Sequence, residues 1–273
     1  MTDLQERADT ALHERAANEL RRVIDQYAAG EAEVIRSYFE QPHTNDDHVE
    51  VLLKQIGREI QGRNSTEQTL SMSRDLERGV DRHDYARYLR ESAEEAEHYV
   101  LLADIAEWLA GRKLPADALL GYEVIARYSP DLPETLMYNR RLPDACRNVD
   151  VGRAIVDALG LERGRSLMHL AEGGGGGAFV ECARLQGDEF RERLSAAMRS
   201  IVRDEMGHGP ARVDGYARHW IHSEEELRED CRHLKAFMAA HLRVRNEIWG
   251  YPLTEERLAA IDAGDVAPYD PNL

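Results

Sequence analysis

Glu95-Ala96-Glu97-His98 and Glu205-Met206-Gly207-His208 are one pattern, Glu-x-x-His, present twice in the chain and 110 residues apart. The segments around both read as helix: Ala, Leu, Glu and Arg dominate, and alternating β-branched runs bounded by turns are missing. On a helix, residues three apart share a face with Cβ atoms ~5–6 Å apart, so each pattern can aim a carboxylate and an imidazole at one metal ion. A single match carries little, because Glu and His are frequent on solvated helix faces. The neighbours add weight. At 100° per residue, Leu194, Met198, Ile201 and Tyr216 fall within about 40° of Glu205, and Glu95 sits likewise among Tyr88, Leu102 and Leu109. Both glutamates thus lie on apolar stripes, where a lone carboxylate is costly unless it is paired or binds metal.

Two such helices, with one glutamate from each of two others, make the ligand set of carboxylate-bridged two-metal bundles. Each missing glutamate should precede its Glu-x-x-His by one antiparallel hairpin. Before Glu205, Glu172 fits: it lies 15 residues before Gly187 and Glu205 lies 18 after, so the depths agree to ~5 Å at 1.5 Å per residue. Glu172 also shares a face with Leu161, Met168, Phe179 and Ala183. Before Glu95 there are two candidates. Glu67 is 13 residues before Val80 against 15 for Glu95, a mismatch of ~3 Å, whereas Glu59 gives 21 against 15, or ~9 Å. Glu67 is preferred on this count and Glu59 is kept as the alternative. The stretch Gly62-Arg63-Asn64-Ser65 speaks against Glu67, since it can end one helix and cap another.

Outward from these motifs the chain divides into helical segments. Residues 1–41 read as one or two amphipathic helices. A start at Asp46/Asp47 opens the stripe Val49, Leu52, Leu53, Ile56, Ile60, expected to continue through Gly62 to about Arg78. Asp81 caps a helix to about Gly111. Residues 112–149 hold four of the nine prolines and a short helix near 116–128. Asp150 is read as the cap of a stretch reaching Gln186, with interruptions at Gly160 and Gly164. After Gly187-Asp188 a helix runs to about His222 with Gly207, Gly209 and Pro210 inside it. A last helix covers 223–248, followed by coil. The expected architecture is an all-α single domain over 1–273. It has N-terminal helices in 1–48, a four-helix bundle in 49–222, and a C-terminal helix and tail in 223–273.

Composition narrows the partners. A net charge of −16 repels phosphate backbones and anionic lipid, which argues against nucleic acid and membrane surfaces. No apolar run approaches the ~20 residues of a membrane helix, and Met1–Arg7 lacks an apolar stretch of signal-peptide type. Cys146, Cys182 and Cys231 are odd in number and widely spaced, which fits a reducing cytoplasm and excludes a CxxC motif.

The order Glu67, Glu95-x-x-His98, Glu172, Glu205-x-x-His208 resembles the ferritin-like non-haem di-iron carboxylate oxygenases. Gln55-Ile56-Gly57 and Asp204-Glu205-Met206-Gly207-His208 are similar, more weakly, to the phenylacetyl-CoA oxygenase type. The resemblance spans about 49–222. It implies an antiparallel four-helix bundle in which Glu95 and Glu205 bridge two irons, His98 and His208 each bind one, and Glu67 and Glu172 are terminal ligands. The implied activity is that of an O₂-dependent monooxygenase that hydroxylates, epoxidises or N-oxygenates a small organic substrate. O₂ is the co-substrate, and manganese is an alternative to iron. The chain shows no iron–sulfur, flavin or credible nicotinamide motif, so electrons would come from an external donor or reductase. A homodimer stays open. The alternative reading is an iron oxidase or peroxide scavenger of ferritin or rubrerythrin type.

Gly173–Gly177 follow Glu172 directly, and five helical glycines cost about 1 kcal/mol each relative to alanine. Gly175 and Gly176, with Phe179, are read as lining a substrate cavity; a plain break in the helix is the rival reading. Gly173-x-Gly175-x-x-Ala178 formally matches a dinucleotide loop, but no βαβ unit surrounds it. His169 is either an extra ligand, an outer-sphere donor or a hydrogen-bonded core histidine. Asp204 lies beside the metal face and is placed to hold a ligand imidazole. Tyr88, Tyr99 and Tyr216 read as core.

Overall fold

The computed structural model describes residues 3–59, 79, 81–122, 141–171, 176–206 and 209–273. Among these residues the regular structure is entirely helical, as the composition predicts. The helices are α1 (Asp3–Phe39), α2 (Asn45–Glu59), α3 (Arg82–Ala110), α4 (Ala116–Leu119), α5 (Pro143–Leu159) and α6 (Leu161–His169). Then follow α7 (Gly176–Ala183), α8 (Glu189–Met206), α9 (Gly209–Trp220), α10 (Glu224–Ile248) and α11 (Glu255–Asp262).

Local chemistry sets most of the boundaries. Thr44 and Asp47 cap α2 reciprocally: the Asp47 carboxylate accepts from the Thr44 amide, and Thr44 Oγ1 accepts from the Asp47 amide. Asp81 accepts from the His83 amide at the start of α3, and Gly111 ends that helix at φ 63°. Gly187, at φ 126°, turns the chain between α7 and α8. Ser223 and Thr254 cap α10 and α11 through their own side chains.

Three boundaries differ from expectation, the first being the short helix read near 116–128, which ends at Leu119 in a turn. The helix read as starting at Asp150 begins at Pro143, so Asp150 is internal to it. Its first amides, those of Asp144 and Ala145, donate to the buried Glu247 carboxylate of α10, 3.1–3.2 Å away, so the cap comes from a helix a hundred residues on. The tail read as coil contains α11, whose Leu258 and Ile261 are fully buried. The predicted continuation of α2 to Arg78, and the residues 123–128 of the expected short helix, lie outside the described residues.

Packing places α2 beside α3 and α7 beside α8, with α3 also against α8. The helix α1 is central. Ala16, Leu20, Ile24, Tyr27, Val34 and Ile35 are buried along it, and it contacts α7, α9, α10 and α11. Small residues let it be approached closely: a Cβ on Gly177 of α7 would stand 2.0 Å from the Ala28 carbonyl oxygen, and one on Gly30 would stand 2.9 Å from Ile261 Cγ2. Thus α1 and α10, read from the sequence as additions to a bundle over 49–222, share one hydrophobic core with it. No helix among the described residues is long and apolar enough to cross a membrane.

Candidate metal centre

Glu59 of α2, the middle of α3 and the Asp204–Glu205 pair of α8 meet at one place. Glu59, Glu95 and His98 each offer a donor atom, and the three atoms lie within 4.8 Å of one another. Glu95 and His98 share a face of α3 because they are three apart. Glu59 arrives from α2 on the stripe that carries Leu52 and Ile56, both buried, so the apolar packing of α2 carries the carboxylate inward.

His98 is the pivot. Its side chain is 1% exposed. Nε2 lies 3.3 Å from Asp204 Oδ2, a hydrogen bond between α3 and α8. Nδ1 faces Glu95 Oε2 at 3.8 Å and Glu205 Oε1 at 4.0 Å. It is buried with no hydrogen-bond partner among the described residues. Asp204 and Glu205 are neighbours about 100° apart on α8, so the two carboxylates reach the two edges of the imidazole from one helix turn.

The electrostatics follow from crowding. Burial holds the Glu59 carboxyl above its ordinary range, and Glu95 pushes the same way, against His98, Gln55 and Arg245. Burial alone would lower the His98 imidazole, but Glu95, then Glu59 and Asp204, outweigh it and lift it to about 9. Four carboxylates around one imidazole need positive charge. Without metal, protons supply it.

The donor set suits a metal on geometric grounds. Two bonds of about 2.1 Å to a shared ion set their donor atoms about 3–4 Å apart, depending on the angle. The 3.8 and 4.0 Å separations at Nδ1 are too wide for hydrogen bonds and lie within that span. The donors are all carboxylate or imidazole, a chemistry shared by iron, manganese and zinc.

Of the residues singled out in the sequence, the structure brings together Glu95, His98, Asp204 and Glu205. Glu59, the lower-ranked alternative, joins them. Glu67, Glu172, His208 and Gly175 lie outside the described residues. His169 is exposed at the end of α6, which corrects its reading as a core histidine. Gly176 faces the C-terminal tail, where a Cβ would stand 3.8 Å from Tyr269 Oη. Phe179 lies under the Arg245 guanidinium, 5.0 Å from its ring centre. Tyr216 is a core residue, donating to Asp230 at 2.7 Å. Three residues close to the site escaped the sequence reading: Arg245, Glu31 and His241. The signal for Glu31 was present, since with Glu33 it interrupts an otherwise small and apolar stretch from Tyr27 to Ile35. Comparison with protein-family models, with curated proteins and with solved structures returns no match.

Proposed function

We propose that the chain is a non-haem di-iron protein of ferritin-like type that uses O₂ to oxidise a small organic molecule. The observation that carries the metal reading is His98 Nδ1, a buried nitrogen without a hydrogen-bond partner that faces two carboxylate oxygens at 3.8 and 4.0 Å. The helix pairs α2/α3 and α7/α8, joined through α3 and α8, agree with a four-helix arrangement around that point. The oxidase chemistry rests on the resemblance of the twofold Glu-x-x-His pattern.

In this reading Glu59, Glu95 and His98 hold one iron, and Glu95 and Glu205 extend toward a second. Glu172 and His208 are its remaining ligands by sequence order. The irons would supply the electrons that reduce O₂. Asp204 fixes the His98 ring and keeps Nδ1 available as the metal-facing nitrogen, while burial limits water around that imidazole.

Elemental analysis of protein from iron-supplied cells should give about two irons per chain. The Glu95→Ala/Glu205→Ala double variant should lose both. Retention of full iron by that variant overturns the ligand assignment. Oxygen consumption separates the activities: uptake that depends on an added organic substrate supports the oxygenase, whereas uptake driven by Fe(II) alone supports the iron-oxidase alternative.

A further inference from the structure

Behind Glu59 lies a chain of buried polar contacts whose direction is fixed by chemistry. Arg245 of α10 is 3% exposed and is held from three sides. Its Nε lies 3.4 Å from Oε2 of the fully buried Glu31 on α1. Its guanidinium covers the Phe179 ring of α7 at 5.0 Å, and one terminal nitrogen donates to Gln55 Oε1 of α2 at 2.5 Å. Glu31 is fixed in turn by His241 Nδ1 at 2.7 Å, and Arg58 lies on the other ring nitrogen at 3.0 Å.

An arginine only donates. The Gln55 oxygen must therefore face Arg245, which turns the Gln55 amide nitrogen toward Glu59. That nitrogen donates to Glu59 Oε1, one helix turn on. Glu59 is thereby an acceptor at Oε1, which fixes the plane of the carboxylate that stands beside Glu95 and His98. A swapped glutamine amide would set N–H against N–H at Arg245 and oxygen against oxygen at Glu59. The arginine thus decides which way the amide points.

Stability alone does not call for this arrangement, because apolar side chains of equal volume often replace a buried ion pair without loss. We propose that Arg245, acting through Gln55, is a positioning residue that orients the Glu59 carboxylate for metal. This rests on the reading of Glu59, Glu95 and His98 as metal ligands. Arg245 touches no metal-facing atom itself, and its role is to set an orientation two side chains away.

The test is a Co(II) titration of the full chain, read by visible absorption and calorimetry, for the parent and for Gln55→Met, Arg245→Met and Arg245→Lys. Gln55→Met keeps the side-chain volume in a buried site and removes only the hydrogen bonds. The proposal expects Gln55→Met, with the parent's circular dichroism and melting temperature, to bind Co(II) about ten- to a hundredfold more weakly, the range typical of outer-sphere partners. Its absorption spectrum should change as the Glu59 ligand is lost or rotated. Arg245→Lys should recover most of what Arg245→Met loses, because lysine still donates to Gln55. A folded Gln55→Met with parental affinity and spectrum overturns the proposal, even if Arg245→Met fails to fold. A parent chain that binds no Co(II) and no iron overturns the metal reading itself, which is a separate result.

Discussion

At the scale of single residues, Glu59 shows what packing adds to counting. The hairpin count favours Glu67 because it presumes an unbroken helix from the start of α2 to Arg78. The described part of the helix, Asn45–Glu59, already sets the Glu59 carboxylate beside Glu95 and His98, while Glu67 lies outside the described residues. The pattern Leu52, Gln55, Ile56, Glu59 at i, i+3, i+4 and i+7 was legible all along as one buried face. Glu59→Ala should therefore lower iron occupancy, measured by elemental analysis, though less than Glu95→Ala, which touches both irons; undiminished iron would remove Glu59 from the ligand set. A second expectation concerns protons. In metal-free protein His98 titrates at about 9 against 6.5 for a free imidazole, so its protonation favours the fold. That contribution is complete below pH about 6.5 and is lost as the pH rises through about 9. Glu59, also raised, acts in the same sense: its ionisation opposes folding. The melting temperature of the metal-free chain should fall from pH 6.5 to 9.5, while metal affinity should increase over the same interval as protons leave the ligands. A melting temperature independent of pH would show that His98 does not titrate with the fold.

At the scale of elements, the glycine run has two faces with different work. Gly177 sits where α7 meets α1, and an added methyl would stand 2.0 Å from the Ala28 carbonyl oxygen, so backbone would have to move. Gly177→Ala should cost about 1–3 kcal/mol in denaturant unfolding, the usual range for overpacking. Gly176→Ala, with only the Tyr269 hydroxyl at 3.8 Å, should unfold like the parent. Equal stability of the two variants would mean that α7 can shift away from α1 at no cost. The sequence showed the run but not its reason, because the partner at Ala28 lies about 150 residues earlier. The same limit explains α5. Asp150 looked like a cap, whereas the acceptor in use is Glu247, and no local pattern announces a cap supplied from another helix. The cap made within a few residues at Asp81 was readable.

For the whole molecule, the centre ties together helices distant in sequence: α2, α3 and α8 each contribute a side chain around His98. Metal should therefore stabilise the fold chiefly through these three helices, by about 2.7 kcal/mol when free metal exceeds its dissociation constant a hundredfold. Hydrogen exchange on adding metal should slow most in those three helices and least in α6, and uniform slowing would argue against a local clamp. All-α character and the helices that carry Glu95, His98 and Glu205 were legible from periodicity, whereas the central place of α1 was not, since the helices packed along its length start at or beyond Gly176. That separation has a consequence in time. A ribosome delivers α1 first, and more than a hundred further residues must follow before any of α7, α9, α10 or α11 emerges. Until then the stripe of Leu20, Ile24, Tyr27, Val34 and Ile35 travels uncovered, a handle for chaperones and for aggregation alike. Productive folding must wait for nearly the whole chain, and a nascent polypeptide arrested before α10 should be captured by a chaperone through its oldest helix.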